Sequence, residues 1–518
     1  MKRNVFILLL AVLIGGGLRL PRLDIRPMHT DEAVHAVKFG ALLEQGVYRY
    51  DRAEYHGPTL NYLTLLPAWL TGRRTLIDVD ETTLRIVPAG AGILLILLLY
   101  MMGRKGSLAA PLAAFFAAVS PAMTFYSRYY IQEMLLVLFS VAFLCAAFFA
   151  LQTARARWAA AAGIAAGLMY ATKETSIIAF GVCGLSLLAV MFVGADRTRL
   201  SGRQFFRIAV AFVLPAALVI GAMFSSFGTN LPGIIDAFSG WPVYLNRAGD
   251  HGPHIHPWYY YVSILFWSHD EGFPVWTEAT ILVLGVLGLV IAWKERNETQ
   301  HGLERLNFFF AVFTVLLFAV LSVIPYKTPW VILTPFAGLI VMAGIGGSWL
   351  LERGTRIRLT AGILMILLGA HLAFQAYAAS FVYAESPANP YVYAQAVSDV
   401  RMLGEKIHAL SPGIPGGPTV QVIVPEHDYW PLPWYFRDLS SVGWWDSLPE
   451  SLPRADVYVT TAEQEAALAG ALYRSGTPGS QPLFVPLVDR PIFLRPGKEI
   501  RIFARLDLVS RTAAGGAP

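Results

Sequence analysis

Two adjacent carboxylates, Asp31 and Glu32, stand in the segment Met28-His29-Thr30-Asp31-Glu32-Ala33-Val34-His35, shortly after the first long apolar run. A carboxylate held there could act as a general base toward a hydroxyl. Apolar residues continue at helical spacing through Leu43, so Thr30 or Asp31 is expected to cap a helix, with Asp31 and His35 on one face. The same pattern suits an acid that only caps. Glu133 is the second candidate acid. It opens another apolar run, with Tyr129 and Tyr130 four and three residues before it on the same helical face. An ionisable group at the edge of hydrocarbon is costly and is a functional candidate for that reason, a structural pair with Arg128 being the alternative.

Three cations, Arg128, Lys173 and Lys327, each fall at the end of an apolar run. Arginine can hold a phosphate bidentately and lysine can hold it as a point charge. Snorkelling side chains that anchor helix ends have the same appearance. Tyr326 beside Lys327 could flank a sugar, and Trp330 is expected in an interfacial aromatic belt. His254 and His256 face one side of an extended chain. With His56, Asp31 and Glu133 they could complete a divalent metal site, although no defined ligand spacing is present, and polar loop histidines are the alternative.

The elements that must position these groups follow from hydropathy and charge. Only 14% of the 518 residues are charged and 55% are hydrophobic. A soluble domain carries about a quarter charged residues, so this chain belongs in lipid. Apolar runs of membrane-crossing length predict helices near 5–20, 84–102, 107–125, 131–152, 158–172, 175–194, 208–225, 275–293, 307–324, 330–350 and 359–379. The first of these follows Lys2-Arg3 without a clear cleavage site and reads as a retained helix. The connections alternate in charge. Lys2-Arg3, Arg104-Lys105, Arg155 and Arg157, the Arg197–Arg207 cluster, Lys294 with Arg296 and Arg305, and Arg353 with Arg356 and Arg358 fall on one side. The other side has single cations, so the basic side is expected to be cytoplasmic. The N-terminus is then cytoplasmic, in the plasma membrane, and every candidate above lies on the outer side.

The net charge of +5 is accounted for by those cytoplasmic loops, not by nucleic-acid binding. Cys145 and Cys183 lie inside apolar runs and suggest no disulfide framework. No phosphate-loop motif for ATP occurs. Residues 56–72 fit an amphipathic helix at the membrane surface. After about 380 the pattern changes. Thr419–Pro425 and Asp456–Thr460 read as strands, and 391–409 and 461–473 as helices. The expected fold is therefore a polytopic α-helical membrane module of about eleven spans over 1–380, with outer loops 21–83 and 226–274. A small extracytoplasmic α/β domain over 381–518 follows it.

Together these features resemble the GT-C glycosyltransferases, multi-span enzymes that use lipid-phosphate sugars and include protein mannosyltransferases and aminoarabinose transferases. The resemblance rests on the acidic doublet Asp31-Glu32 after a first helix, a surface helix near Pro58–Leu70, and the aromatic and basic stretch Tyr126–Glu133 before a span. Tyr55-His56-Gly57-Pro58, Lys173-Glu174-Thr175, Tyr326-Lys327-Thr328-Pro329-Trp330 and Trp430-Pro431-Leu432-Pro433-Trp434-Tyr435 look like a prokaryotic subgroup whose name associates it with flippase activity in archaeal N-glycosylation. The resemblance implies transfer of a sugar from a polyprenyl-phosphate donor to an outer protein, lipid or glycan acceptor, by a single inverting displacement. It implies Asp31 as catalytic base, with Glu133 in the place of the second acid. Aminoarabinose transferases carry Lys near the position where this chain has His56. A flippase or a non-catalytic assembly subunit is the rival reading.

Overall fold

The computed structural model describes residues 2–51, 56–103, 106–193, 200–239, 254–296, 302–474 and 482–515. Arg104-Lys105, Arg197, Arg199, Tyr55 and His251 lie outside these residues. The chain divides into two compact units. One comprises Met1–Leu23, Gln45–Gly72 and Thr82–Tyr393, and the other Asp24–Glu44, Arg73–Glu81 and Ala394–Pro518.

The first unit is helical. Its helices include α1 (Lys2–Arg19), α3 (Thr59–Leu70), α4 (Glu81–Met101, whose first residue belongs to the other unit), α5 (Ala109–Val119), α6 (Pro121–Ser127), α7 (Glu133–Thr153), α8 (Ala156–Thr172), α9 (Ser176–Val193) and α10 (Gly202–Phe224). Ala279–Lys294, Gly302–Val323, Leu333–Leu351 and Thr355–Tyr377 follow. Every apolar run singled out in the sequence is helical. Among the described residues seven helices are long and apolar enough to cross a membrane, or eight if the bent pair α5–α6 forms one span. The chain is thus a multi-pass membrane protein. Lys2–Arg19, Ala156–Thr172 and Ala279–Lys294 are the expected spans outside that group of eight.

Packing follows side-chain size. A Cβ at Gly163 of α8 would overlap the Phe212 carbonyl of α10, so this small residue lets the two backbones touch. The outer face of α10 carries exposed Phe205, Phe206, Val213, Leu214 and Leu218. Such a band is stable only against lipid. The bend between α5 and α6 is 61°. Ser120 makes it: its backbone is extended, Pro121 follows, and its hydroxyl accepts the Met123 N–H as an N-cap. Helix α3 buries Thr59, Leu60, Asn61, Thr64 and Ala68 and exposes Leu63, Leu66, Trp69 and Leu70.

The second unit holds a mixed sheet of β1 (Val420–Ile423), β2 (Val442–Trp445), β3 (Val457–Thr461), β4 (Phe484–Pro486), β5 (Ile492–Arg495) and β6 (Lys498–Arg505). The order is β2-β1-β3-β6-β4, with β5 also on β6. β1 runs parallel to β2 and β3, and β6 pairs antiparallel with β3, β4 and β5. β1 and β3 are buried along their whole length, Gln421, Thr460 and Thr461 included. Helix α2 (Thr30–Gln45) belongs here for all but its last residue. The Met28 N–H donates to the Tyr435 hydroxyl at 2.9 Å and the Gln395 amide donates to the Pro27 carbonyl at 3.0 Å. Arg401 donates to the carbonyls of Asp24, Ile25 and Arg26. Where the sequence suggested one loop over 21–83 and a boundary near 380, the chain contributes 24–44 and 73–81 to the fold of its tail.

Candidate functional site

In the second unit the two acids of the doublet take different tasks. Helix α2 begins at Thr30, so His29 is its cap residue, one position earlier than expected. The Glu32 carboxylate accepts the His29 N–H at 3.0 Å, the returning half of a capping box, and lies 3.5 Å from the Arg26 guanidinium. Glu32 is fully buried. In this structure Glu32 fixes the start of α2. The Asp31 side chain is 45% exposed. The Asp31 N–H donates to His29 Nδ1 at 3.0 Å, which places the proton of a neutral imidazole on Nε2. The carboxylate that remains open to reactants is that of Asp31.

In the first unit, Glu133 opens α7, and Lys173 Nζ donates to its Oε1 at 2.6 Å. Both side chains are almost fully buried. Lys173 lies in the turn from α8 to α9, and beside it Glu174 Oε2 is 3.3 Å from His56 Nδ1. His56 arrives there because Gly57 has no side chain: a Cβ would overlap the Ala171 carbonyl at the end of α8. The Tyr48 hydroxyl donates to the His56 carbonyl, and the Tyr130 and Thr64 hydroxyls share a hydrogen bond at 3.0 Å. Four charged or titratable groups thus sit in two adjacent pairs. Gly57→Ala is expected to destabilise the protein by about 1–3 kcal/mol through overpacking against backbone. A melting temperature equal to wild type would contradict this.

Glu133 therefore pairs with Lys173, and the alternative pairing with Arg128 is not formed. Arg128 donates to the carbonyls of Leu18, Arg19, Pro21 and Arg22 at 2.7–3.4 Å, and its guanidinium lies 4.3 Å from the Phe381 ring centroid. Those of Leu18 and Arg19 are among the carbonyls that the end of α1 leaves without intrahelical partners, and those of Pro21 and Arg22 follow it. In this structure Arg128 caps the end of α1. Arg128→Met is expected to cost about 2–3 kcal/mol, because buried carbonyls lose their donors. Unfolding midpoints in detergent measure it, and an unchanged midpoint would remove the capping role.

The third cation belongs to a different cluster. Ile255 and Tyr326 form a short antiparallel bridge, in which the His256 N–H donates to the Pro325 carbonyl and the Lys327 N–H to the His254 carbonyl. Lys327 Nζ donates to the carbonyls of His256 and Ile324. His254 Nδ1 is 2.5 Å from the Tyr393 hydroxyl, and its ring centroid is 4.9 Å from that of Tyr326. His256 stacks on Tyr260 at 4.2 Å. Burial first, then His254 and Lys327, push the His256 imidazole below its ordinary pKa. Trp330 touches Tyr126, Tyr129 and Tyr393 and is only 7% exposed. It is a core aromatic, and the belt expectation is corrected.

Thus Glu133, Lys173 and His56 converge on the turn between α8 and α9, while Tyr129, Tyr326, Lys327, His254 and His256 belong to one aromatic cluster. Among the described residues no three His, Cys, Asp or Glu side chains are arranged to hold a metal ion. The expected set of Asp31, Glu133, His56, His254 and His256 is not gathered as ligands within either unit, because His56 turns to Glu174 and His254 to Tyr393. Glu174, Glu278, Tyr391 and Tyr393 were missing from the residues singled out as candidates. Glu278 has the same signal as Glu133, an acid immediately before an apolar helix. Tyr391 and Tyr393 follow no periodic pattern that would mark them.

Residues 63–221 match the family model of dolichyl-phosphate-mannose-protein mannosyltransferases. None of the curated proteins matches the chain. Among solved structures, apo ArnT from Cupriavidus metallidurans superposes with a TM-score of 0.60 at 16% identity, over 96% of this chain and 97% of that one. The same protein bound to undecaprenyl phosphate gives 0.61 at 15% identity, with the same coverage. The apo oligosaccharyltransferase of Archaeoglobus fulgidus gives 0.54 at 14% identity, over 90% of this chain and 70% of that one. The chain shares the fold of these proteins.

Proposed function

We propose that this chain, a multi-pass membrane protein of the GT-C fold, is a glycosyltransferase that transfers a sugar from a polyprenyl-phosphate donor to an acceptor outside the cell. Its N-terminus is cytoplasmic and its tail domain extracytoplasmic, following the distribution of Lys and Arg along the sequence. Asp31 takes the proton of the acceptor hydroxyl or amide. The acceptor heteroatom forms a bond to the anomeric carbon as the bond from that carbon to the phosphate oxygen breaks. The lipid phosphate leaves with the electron pair, and one displacement inverts the anomeric centre. Lys173 stabilises the phosphate as charge develops on it, and Glu133 holds the Lys173 ammonium in place until then. The lipid carries the activated sugar, so no nucleotide is consumed.

One observation carries this reading: the buried Glu133–Lys173 pair at the start of α7, with His56–Glu174 beside it. A membrane protein keeps such charges at a helix end where they act on something. ArnT with bound undecaprenyl phosphate has the same fold, and that supports a polyprenyl-phosphate donor. The test is transfer by purified protein from a synthetic polyprenyl-phosphate sugar to extracts of its own cell surface. Release of polyprenyl phosphate together with a glycosylated acceptor is expected. No release with any lipid-linked sugar would end the proposal.

A further inference from the structure

Glu278 is fully buried and precedes the apolar helix Ala279–Lys294. Its Oε1 accepts the Ala122 N–H at 2.7 Å and the Tyr391 hydroxyl at 3.1 Å. The Tyr391 carbonyl in turn accepts the Tyr126 hydroxyl at 2.7 Å. Ala122 is near the start of α6 and Tyr126 near its end. The short helix is therefore tied at both ends to one buried acid and its tyrosine. Ser120 and Pro121 set the 61° bend, but a seven-residue helix is too short to hold its course by itself, so beyond its first turn the direction of α6 depends on these ties. Beyond α6 the chain runs through Arg128, the cap of α1, and Tyr129 to Glu133. The direction of α6 thus sets where α7 starts and where Glu133 meets Lys173.

We infer that Glu278 is a positioning residue for sugar transfer, acting as a hydrogen-bond acceptor that aims the Tyr126–Glu133 segment. This deepens the glycosyltransferase reading and rests on it. The role needs an acceptor atom, not a negative charge. A protonated acid keeps a carbonyl oxygen that serves as well. Glutamine reproduces that oxygen, and leucine removes it while keeping similar bulk.

The experiment compares Glu278→Gln and Glu278→Leu in the purified full chain with a synthetic polyprenyl-phosphate sugar, counting turnover per folded molecule. Glu278→Gln is expected to retain kcat within about twofold, and Glu278→Leu to lose at least about tenfold in kcat with little change in donor KM. Hydrogen exchange over 121–133 should rise in the Leu variant and stay near wild type in the Gln variant. Equal losses in both variants would overturn the inference, because the charge itself would then matter. Unchanged kcat per folded molecule in Glu278→Leu would also overturn it, because the acid would then serve only stability. If the Leu variant does not fold, Tyr391→Phe removes one donor to Glu278 and keeps the Tyr391 carbonyl. About a threefold loss of kcat supports the inference there, and no loss overturns it. Should wild type transfer no sugar, the enzymatic reading fails by itself. The exchange comparison then decides the positioning of 121–133 independently.

Discussion

Replacing Asp31 with Asn should lower sugar transfer at least about a hundredfold, and up to about ten-thousandfold, the range a positioned general base contributes. The substitution keeps the shape of the side chain and removes its basicity. Stability should change by no more than about 0.5 kcal/mol, because the side chain is 45% exposed and its nearest ion-pairing neighbour is His29 at 3.9 Å. The adjacent acid provides the contrast. Glu32→Gln still offers an acceptor to the His29 N–H but removes the carboxylate 3.5 Å from the buried Arg26 guanidinium. That variant should lose stability while keeping the turnover of whatever remains folded. Initial rates with a lipid-linked sugar, set beside melting curves for both variants, separate the two roles. Wild-type turnover in Asp31→Asn would withdraw Asp31 from the chemistry. Loss of folding in Asp31→Asn and normal stability in Glu32→Gln would mean that the two roles are interchanged.

That contrast also shows which parts of this protein can be read along the chain. The apolar runs announce helices because lipid demands a local property, a continuous stretch of hydrophobic side chains. β1 and β3 are legible from short β-branched and apolar alternations such as Val420-Gln421-Val422-Ile423 and Val457-Tyr458-Val459-Thr460. β6 alternates buried Ile500, Ile502 and Ala504 with Glu499, Arg501, Phe503 and Arg505, and its pairing with three other strands is a matter of tertiary structure. The division of residues 21–83 between two units has no local signature at all. It depends on Arg401 and Tyr435, hundreds of residues away, which supply donors and acceptors to 24–28. The candidate site behaves in the same way. The residue types of Glu133, Lys173 and His56 and their place at helix ends are visible in the sequence. Their partners are not, because Arg128 and Lys173 are both cations near the ends of apolar runs. Only packing makes the first a helix cap and the second the partner of an acid. Trp330 misleads for the same physical reason, since an aromatic residue at a helix end suits an interface and a core equally well.

The pairing of Glu133 with Lys173 leads to the second large effect. Glu133→Gln should destabilise the protein by about 3–5 kcal/mol, because it removes the carboxylate that pairs with the buried Lys173 ammonium. Lys173→Met should cost a similar amount, because it removes the ammonium that pairs with the buried Glu133 carboxylate. The double variant should recover most of the loss, since removing both charges also removes the desolvation that each must otherwise offset. The side chains are only 11% and 6% exposed, so water cannot take the place of the missing partner. Activity should follow a different pattern. If Lys173 receives the leaving phosphate, the repaired double variant remains as inactive as Lys173→Met despite its restored fold. Melting temperatures of the four proteins in one detergent give the coupling, and transfer rates per folded molecule give the function. Additive melting shifts would mean that the two residues do not form a buried pair. A double variant that folds and turns over normally would mean that the pair holds helices together and takes no part in the transfer. Recovery of folding without recovery of transfer is the outcome that ties this ion pair to the departure of the lipid phosphate.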